Sequence, residues 1–240
     1  GFDKELMVNS RIFVATGWSN EEITDRYETV KQAFLGHPNI LKATAYRLEF
    51  GRNRGGIHRA VLKKNGDAFT MLEQCADEDY LETFEIALIA GRNLRRGDEI
   101  SHHILLNETA VRVLGWKDPI GKQFATGRAV NTVIGVVRDF HGQSLHAEIQ
   151  PLLIRYHPRF FLTLAVKIRG ENLLETLAFM EKTWKQFVTK RPFEYAFLDE
   201  SLSRLYREEM RVGQLMSTFS LLAIVVACLG LFGLAAFTVE

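Results

Sequence analysis

The sequence predicts a mixed α/β (α+β) fold: a split α/β sandwich carrying an inserted small α/β lobe, followed by a stalk and a transmembrane helix. Three observations predict it. A strand–helix–strand pattern opens the chain, and a second one closes its polar part. The elements between them are shorter and differently spaced, as a separate lobe requires. Beyond Arg211 the charge stops: all 30 Lys and Arg residues, and every one of the 29 acidic residues except Glu240, lie at or before that position.

Composition narrows the function classes. With 240 residues, 47% of them hydrophobic, the chain can build one generous core or two small ones. Charged residues at 25% and aromatics at 11% exclude a disordered tail and a collagen-like repeat. A net charge of +1 lacks the basic excess of a dedicated nucleic-acid binder, so no nucleic-acid partner is expected.

Each element has a local reason. Residues 6–14 (LMVNSRIFV) read as a strand. Ser19 and Glu22 form a capping box, and Ile23, Tyr27, Val30 and Phe34 follow at helical spacing until Gly36 and Pro38. Residues 42–49 read as the returning strand. Ile57–Leu62 and Ala68–Ala76 flank Asn65-Gly66, a pair that tolerates the positive φ of a hairpin turn. Asp77–Phe84 and Glu108–Leu114 read as short helices and Val130–Val137 as an apolar strand. The second strand–helix–strand unit runs through Leu162–Ile168, the stripe Leu173, Leu177, Met180, Trp184 and Phe187, and Glu194–Leu198. The inserted lobe is placed at 75–150.

The terminal run sets the compartment. Phe219–Phe237 (FSLLAIVVACLGLFGLAAF) is apolar almost throughout and matches the ~20 residues a helix needs to cross a bilayer. Gly230 and Gly233 fit close helix packing in membranes. Asp199 can cap a helix that runs through Leu202, Leu205 and Met210 into this span without a break. About 40 residues at 1.5 Å each make a rod of roughly 60 Å, and a rigid rod transmits displacement where a floppy linker does not. The expectation is a piece of a longer membrane protein, with an apolar helix before Gly1 and at least two after Glu240. Cys75 and Cys228, one in the polar part and one deep in the apolar run, do not form a disulfide framework.

Several residue groups carry the types needed for chemistry but not the pattern. Gly115-Trp-Lys-Asp-Pro-Ile-Gly121-Lys122-Gln123 has five residues between its glycines, a proline that removes an amide, and Gln123 where a phosphate loop needs a hydroxyl. It reads as a turn between helix and strand. His102 and His103, adjacent on a strand and followed by Glu108, would point to opposite faces and share no ion, and no second ligand cluster is near in sequence, although His141 and His146 exist. Asp139-Phe140-His141 with Ser144 and His146 offers hydrolase residue types without a nucleophile elbow. Arg52, Arg54 and Arg59, set among Gly51, Gly55 and Gly56, read as a solvated basic loop that can also touch anionic lipid. No residue is assigned as catalytic, cofactor-binding or metal-binding, no cofactor is expected, and the chain is not expected to be an enzyme.

Three segments in order carry a resemblance: Ile104–Phe124 (ILLNETAVRVLGWKDPIGKQF), Val133–Ile154 (VIGVVRDFHGQSLHAEIQPLLI) and Leu202–Glu240. With the opening Gly1-Phe2-Asp3-Lys4, they resemble the FtsX-like/MacB-type ABC transporter permease family, in the version with a large extracytoplasmic domain after its first membrane helix. Gly142 departs from the pattern, standing where an aromatic or polar residue is expected after Asp-Phe-His. The resemblance implies a porter-like subdomain in two parts (1–74 and 151–205), the inserted lobe (75–150), and a stalk continuing into the membrane helix (206–240). It implies a bacterial inner (cell) membrane location with the soluble domain in the periplasm. It also implies a permease dimer partner, a separate ABC-type ATPase subunit that hydrolyses ATP, and in some members a periplasmic adaptor protein; membrane lipid surrounds the span. ATP-driven movement would pass along the stalk to act on a substrate outside the membrane. A membrane-anchored sensor or scaffold that binds a ligand or recruits a cell-wall enzyme is the alternative.

Overall fold

The computed structural model describes residues 10–15, 20–47, 57–62, 68–126, 129–140, 148–169, 172–188 and 192–197. The predicted stalk and apolar span, Ser19 of the predicted capping box, and Cys228 lie outside them. Among the described residues no helix is long and apolar enough to cross a membrane.

The two strand–helix–strand units make one sheet. Strand β1 (Ser10–Ala15), helix α1 (Asn20–Leu35) and strand β2 (Ile40–Tyr46) form the first; β10 (Thr163–Arg169), α4 (Leu173–Phe187) and β11 (Tyr195–Phe197) form the second. Their order is β11-β1-β10-β2, with every neighbouring pair antiparallel. The first strand of each unit is therefore central and the second is outside, the arrangement of a split βαβ sandwich. Helices α1 and α4 pack side by side. Tyr27, Val30 and Phe34 of α1 and Met180 and Trp184 of α4 are buried, as their spacing predicts. Ala43, Ala45, Leu164, Val166 and Ile168 supply buried apolar surface from the sheet.

The second sheet is mixed and closes on itself. It contains β3 (Ile57–Leu62), β4 (Ala68–Cys75), β5 (Leu88–Gly91), β6 (His103–Asn107), β7 (Gln123–Thr126), β8 (Ala129–Val137) and β9 (Leu152–Arg155). The order β8-β6-β9-β4-β3-β7 returns to β8 through the β7–β8 pairing, and β5 adds to the far end of β8. Strand pairs β4–β9 and β6–β8 are parallel; the others are antiparallel. A ring of this kind leaves few unpaired strand edges. Helix α3 (Glu108–Leu114) packs over Met71, Ile104, Leu106, Phe124, Val133 and Leu153, and its own Ala110 is buried among them.

Sheet membership is wider than the expected insert at 75–150. Strands β3 and β9, and all of β4 except Cys75, lie outside those limits in sequence but belong to the second sheet. Alternation and the Asn-Gly turn define a hairpin, yet they carry no information about which sheet it joins. The hairpin pairs onward to β9 and β7 instead of to β2.

Where the two sheets meet, β4 runs past its own sheet to touch β2. Tyr46 and Ala76 form a β-bridge, the Arg47 amide donates to the Cys75 carbonyl (2.9 Å) and the Asp77 amide to the Ala45 carbonyl (2.9 Å). A short helix, α2 (Tyr80–Thr83), follows and packs against β2 and β10. Tyr46, Tyr80 and Phe84 pack in tilted and edge-on pairs at centroid distances of 5.0–5.6 Å.

Candidate functional site

The polar residues at this junction form the most extensive buried constellation among the described residues. Lys31 of α1 and Asp77, just after β4, are both fully buried and 2.6 Å apart. Asp77 also accepts from the Thr44 hydroxyl at 2.5 Å, the Ala45 amide at 2.9 Å and the Asp79 amide at 3.1 Å. Lys31 has a second carboxylate, Asp79, at 2.5 Å. Burial pushes the Asp77 carboxyl up, to about 6, against the pull of Lys31, so it is ionised at neutral pH. Burial alone would lower Lys31, but attraction to Asp77 and the bonds to both carboxylates hold it above its ordinary value. Around this pair, the Tyr27 and Tyr156 hydroxyls share a 2.7 Å hydrogen bond and Arg96 bridges Glu28 (2.5 Å) and Glu78 (2.8 Å). Helix α1 and the inserted lobe are thus held by charge as well as by apolar contact. Lys31 was detectable in principle: it lies four residues after Tyr27 and beside Val30, on the face that must be buried.

The segments that carry the resemblance interlock. Asn107 caps α3, its Oδ1 accepting from the amides of Ala110 and Leu152 (both 2.9 Å) while its Nδ2 donates to the Gln150 carbonyl at 3.0 Å. The next two residues grip the Asp-Phe segment. Asp139 accepts from the Thr109 amide (2.9 Å) and hydroxyl (2.7 Å), and its own amide donates to Glu108 (2.9 Å). Asp139, weighed above as a hydrolase residue, is therefore a helix-start acceptor. Asp139→Ala should cost ~1–2 kcal/mol, the usual scale for a lost cap, measurable by urea denaturation.

The other predicted groups separate. Gly115 ends α3 in the left-handed region (φ 69°), and Lys122 lies 5.3 Å from the Trp116 ring centre, so the glycine-lysine segment is a turn. His102 is not on a strand: it sits in the preceding turn at φ 50°, and β6 begins with His103. His103 lies 2.7 Å from Asp98 and 3.1 Å from Arg92, which itself makes two 2.9 Å bonds to Asp98. Both histidines line a cavity of ≈ 60 Å³ with Asp98, Glu99, Arg155, Tyr156 and His157. Among the described residues no group of three or more His, Cys, Asp or Glu side chains is placed to hold a metal ion. His141, Ser144 and His146, Gly142, the 51–56 loop and the Arg59 side chain lie outside the described set. Cys75 is a buried free thiol that burial pushes up to about 12, so it is inert as a nucleophile.

Asp98 gives a pH signature. Burial alone would raise its carboxyl, but the bonds from Arg92, His103 and the Arg95 amide outweigh it and hold the group at about 2. Its ordinary value is 3.8. The folded state therefore binds this proton less readily than the unfolded state. The stability it contributes should be complete above about pH 4 and decline as pH falls toward 2. Comparing wild type with Asp98→Asn by urea denaturation should show the difference between them shrinking across that window.

The split antiparallel sheet with its inserted mixed barrel is an α+β fold that the chain shares with solved periplasmic and extracellular domains of other proteins. It is similar to the periplasmic region of MacB from Actinobacillus actinomycetemcomitans, at TM-score 0.57 and 16% identity, covering 82% of this chain and 92% of that one. The extracellular domain of the noncanonic ABC-type transporter YknZ from Gram-positive bacteria follows at TM-score 0.50 and 14% identity, covering 79% and 99%. A domain of a protein regarded as a permease, from Porphyromonas gingivalis, matches at 0.52 and 18% identity, covering 78% and 89%. No protein-family model matches the chain, and no curated protein does.

Proposed function

We propose that this chain is the extracytoplasmic domain of an FtsX-like/MacB-type ABC transporter permease, with the start of the membrane helix that follows it. In this reading the domain lies on the periplasmic side of a bacterial inner membrane and works in a permease dimer. A partner ATPase hydrolyses ATP, and the movement reaches the domain through the stalk to drive export or extraction of a substrate outside the membrane. The observation that supports it is the fold, shared with the MacB periplasmic region over 82% of this chain. The charge-free run after Arg211 supplies the membrane attachment this role needs. The buried Lys31–Asp77 contact supplies a stiff connection between the sandwich, which adjoins the stalk in sequence, and the inserted lobe. A periplasmic adaptor would be a partner of the same assembly.

The reading is tested by expressing the full-length membrane protein with ABC ATPases encoded beside it and isolating it from membranes. An ATPase should co-purify and its turnover should change when the permease is present. ATP hydrolysis by the purified chain alone would overturn the reading.

A further inference from the structure

One end of the barrel holds buried nitrogen atoms that find no hydrogen-bond partner among the described residues. They are Nε and Nη1 of Arg47, Nε of Arg155 and Nδ1 of His157. Backbone pairing places the two arginines close together. The Arg47 amide bonds the Cys75 carbonyl, and Cys75 stands in register with Arg155 across the β4–β9 ladder. Both guanidinium groups act electrostatically on the Cys75 thiol. Phe160 is shared as well: the Arg47 guanidinium sits 5.1 Å from its ring centre and the His157 ring 4.5 Å. Arg155 uses one nitrogen on Asn131 Oδ1 at 2.8 Å, and its Nε forms an ion pair with the buried Glu73 at 3.8 Å that is too long for a hydrogen bond. Of the carboxylates nearby, Asp98 is taken up by Arg92 and His103, and Glu99 accepts from the Gly97 amide. Arg155 and His157 also line the adjoining cavity, together with Asp98 and Glu99.

Buried donors without acceptors are destabilising, and charged ones most of all, so a cluster of them from separate strands calls for an acceptor. Planar guanidinium groups match the oxygens of carboxylate and phosphate. We propose that Arg47, Arg155 and His157 form a binding site for an oxyanion, a carboxylate or phosphate group, at the polar end of the barrel. A bound oxyanion completes the hydrogen bonding of all three side chains and joins β9 to the end of β2. Binding there stiffens the same junction that Lys31 and Asp77 hold.

The test uses the full 240-residue chain in detergent micelles with imidazole-labelled histidine. Inorganic phosphate, acetate and chloride are titrated separately at constant ionic strength, and the His157 signals are assigned by their loss in His157→Gln. The expected result is a saturable shift of the His157 ring with phosphate or acetate and none with chloride. The responding anion identifies the class. Arg47→Met should weaken that binding by about tenfold or more and Arg47→Lys by less, as expected for a lost charged hydrogen bond. No saturable shift with either oxyanion overturns the proposal, and this arm needs only the unaltered protein. Unchanged affinity in a folded Arg47→Met also overturns it.

Discussion

Asp77→Ala is expected to destabilise the domain by ~3–5 kcal/mol, because it strands a buried ammonium and removes the acceptor of Thr44, the Ala45 amide and the Asp79 amide. Asp79 alone cannot compensate: its side chain is 43% exposed and reaches Lys31 from the solvent side. The companion double variant Lys31→Met/Asp77→Leu removes both charges together. It should lose less, since no ammonium is stranded, although the Thr44 hydroxyl and the Ala45 and Asp79 amides lose their acceptor in both variants. Urea denaturation of the three proteins separates the cases. Equal losses in the single and double variants would show that local packing, and not the stranded charge, sets the cost.

Gly91→Ala is the second large effect. Gly91 ends β5 at φ 78°, and a Cβ there would lie 2.1 Å from the Ile134 carbonyl oxygen and 2.8 Å from the Gly135 Cα. Those atoms are backbone in β8, so neither can swing aside. Left-handed strain of ~1–2 kcal/mol adds to a clash on the scale of core overpacking, ~1–3 kcal/mol. Gly97→Ala is the control, because Gly97 also has positive φ (91°) but nothing lies within 4 Å of its Cβ position. Thermal unfolding should therefore show a clearly larger drop for Gly91→Ala. A similar drop in both would mean that backbone conformation alone requires these glycines.

How much of this was legible follows the range of the interactions. Helix α1, the β3–β4 hairpin, helix α3 and helix α4 are local: a periodic stripe, an Asn-Gly turn, a cap and a glycine stop announce them within a dozen residues. The four-residue strands β5, β7 and β9 carry too little alternation to stand out, and all four residues of β5 are exposed. His102 was misplaced because nothing in His102-His103 marks where the turn ends and the strand begins. The long-range bonds were invisible. Lys31 meets Asp77 across 46 positions, and Thr109 meets Asp139 across 30. A lysine inside an apolar stripe signals that a partner exists but not which one. The family resemblance located the Asn-Glu-Thr and Asp-Phe segments, whereas the structure shows that they hold each other.

In the proposed mechanism, displacement passes through the stalk between membrane and domain. Residues from Asp199 onward are read from sequence as one helix entering the membrane, and Glu209 lies between the folded part and the apolar run. Proline in a helix interior removes a hydrogen bond and clashes with the preceding turn, at ~3 kcal/mol or more. Alanine removes the same charge while favouring helix. The decisive measurement is transport or signalling output, at matched membrane levels, of the full-length permease carrying Glu209→Pro or Glu209→Ala. The account predicts that the proline variant still folds and binds its ATPase yet loses output, while the alanine variant keeps it. Equal output from the two variants would contradict it.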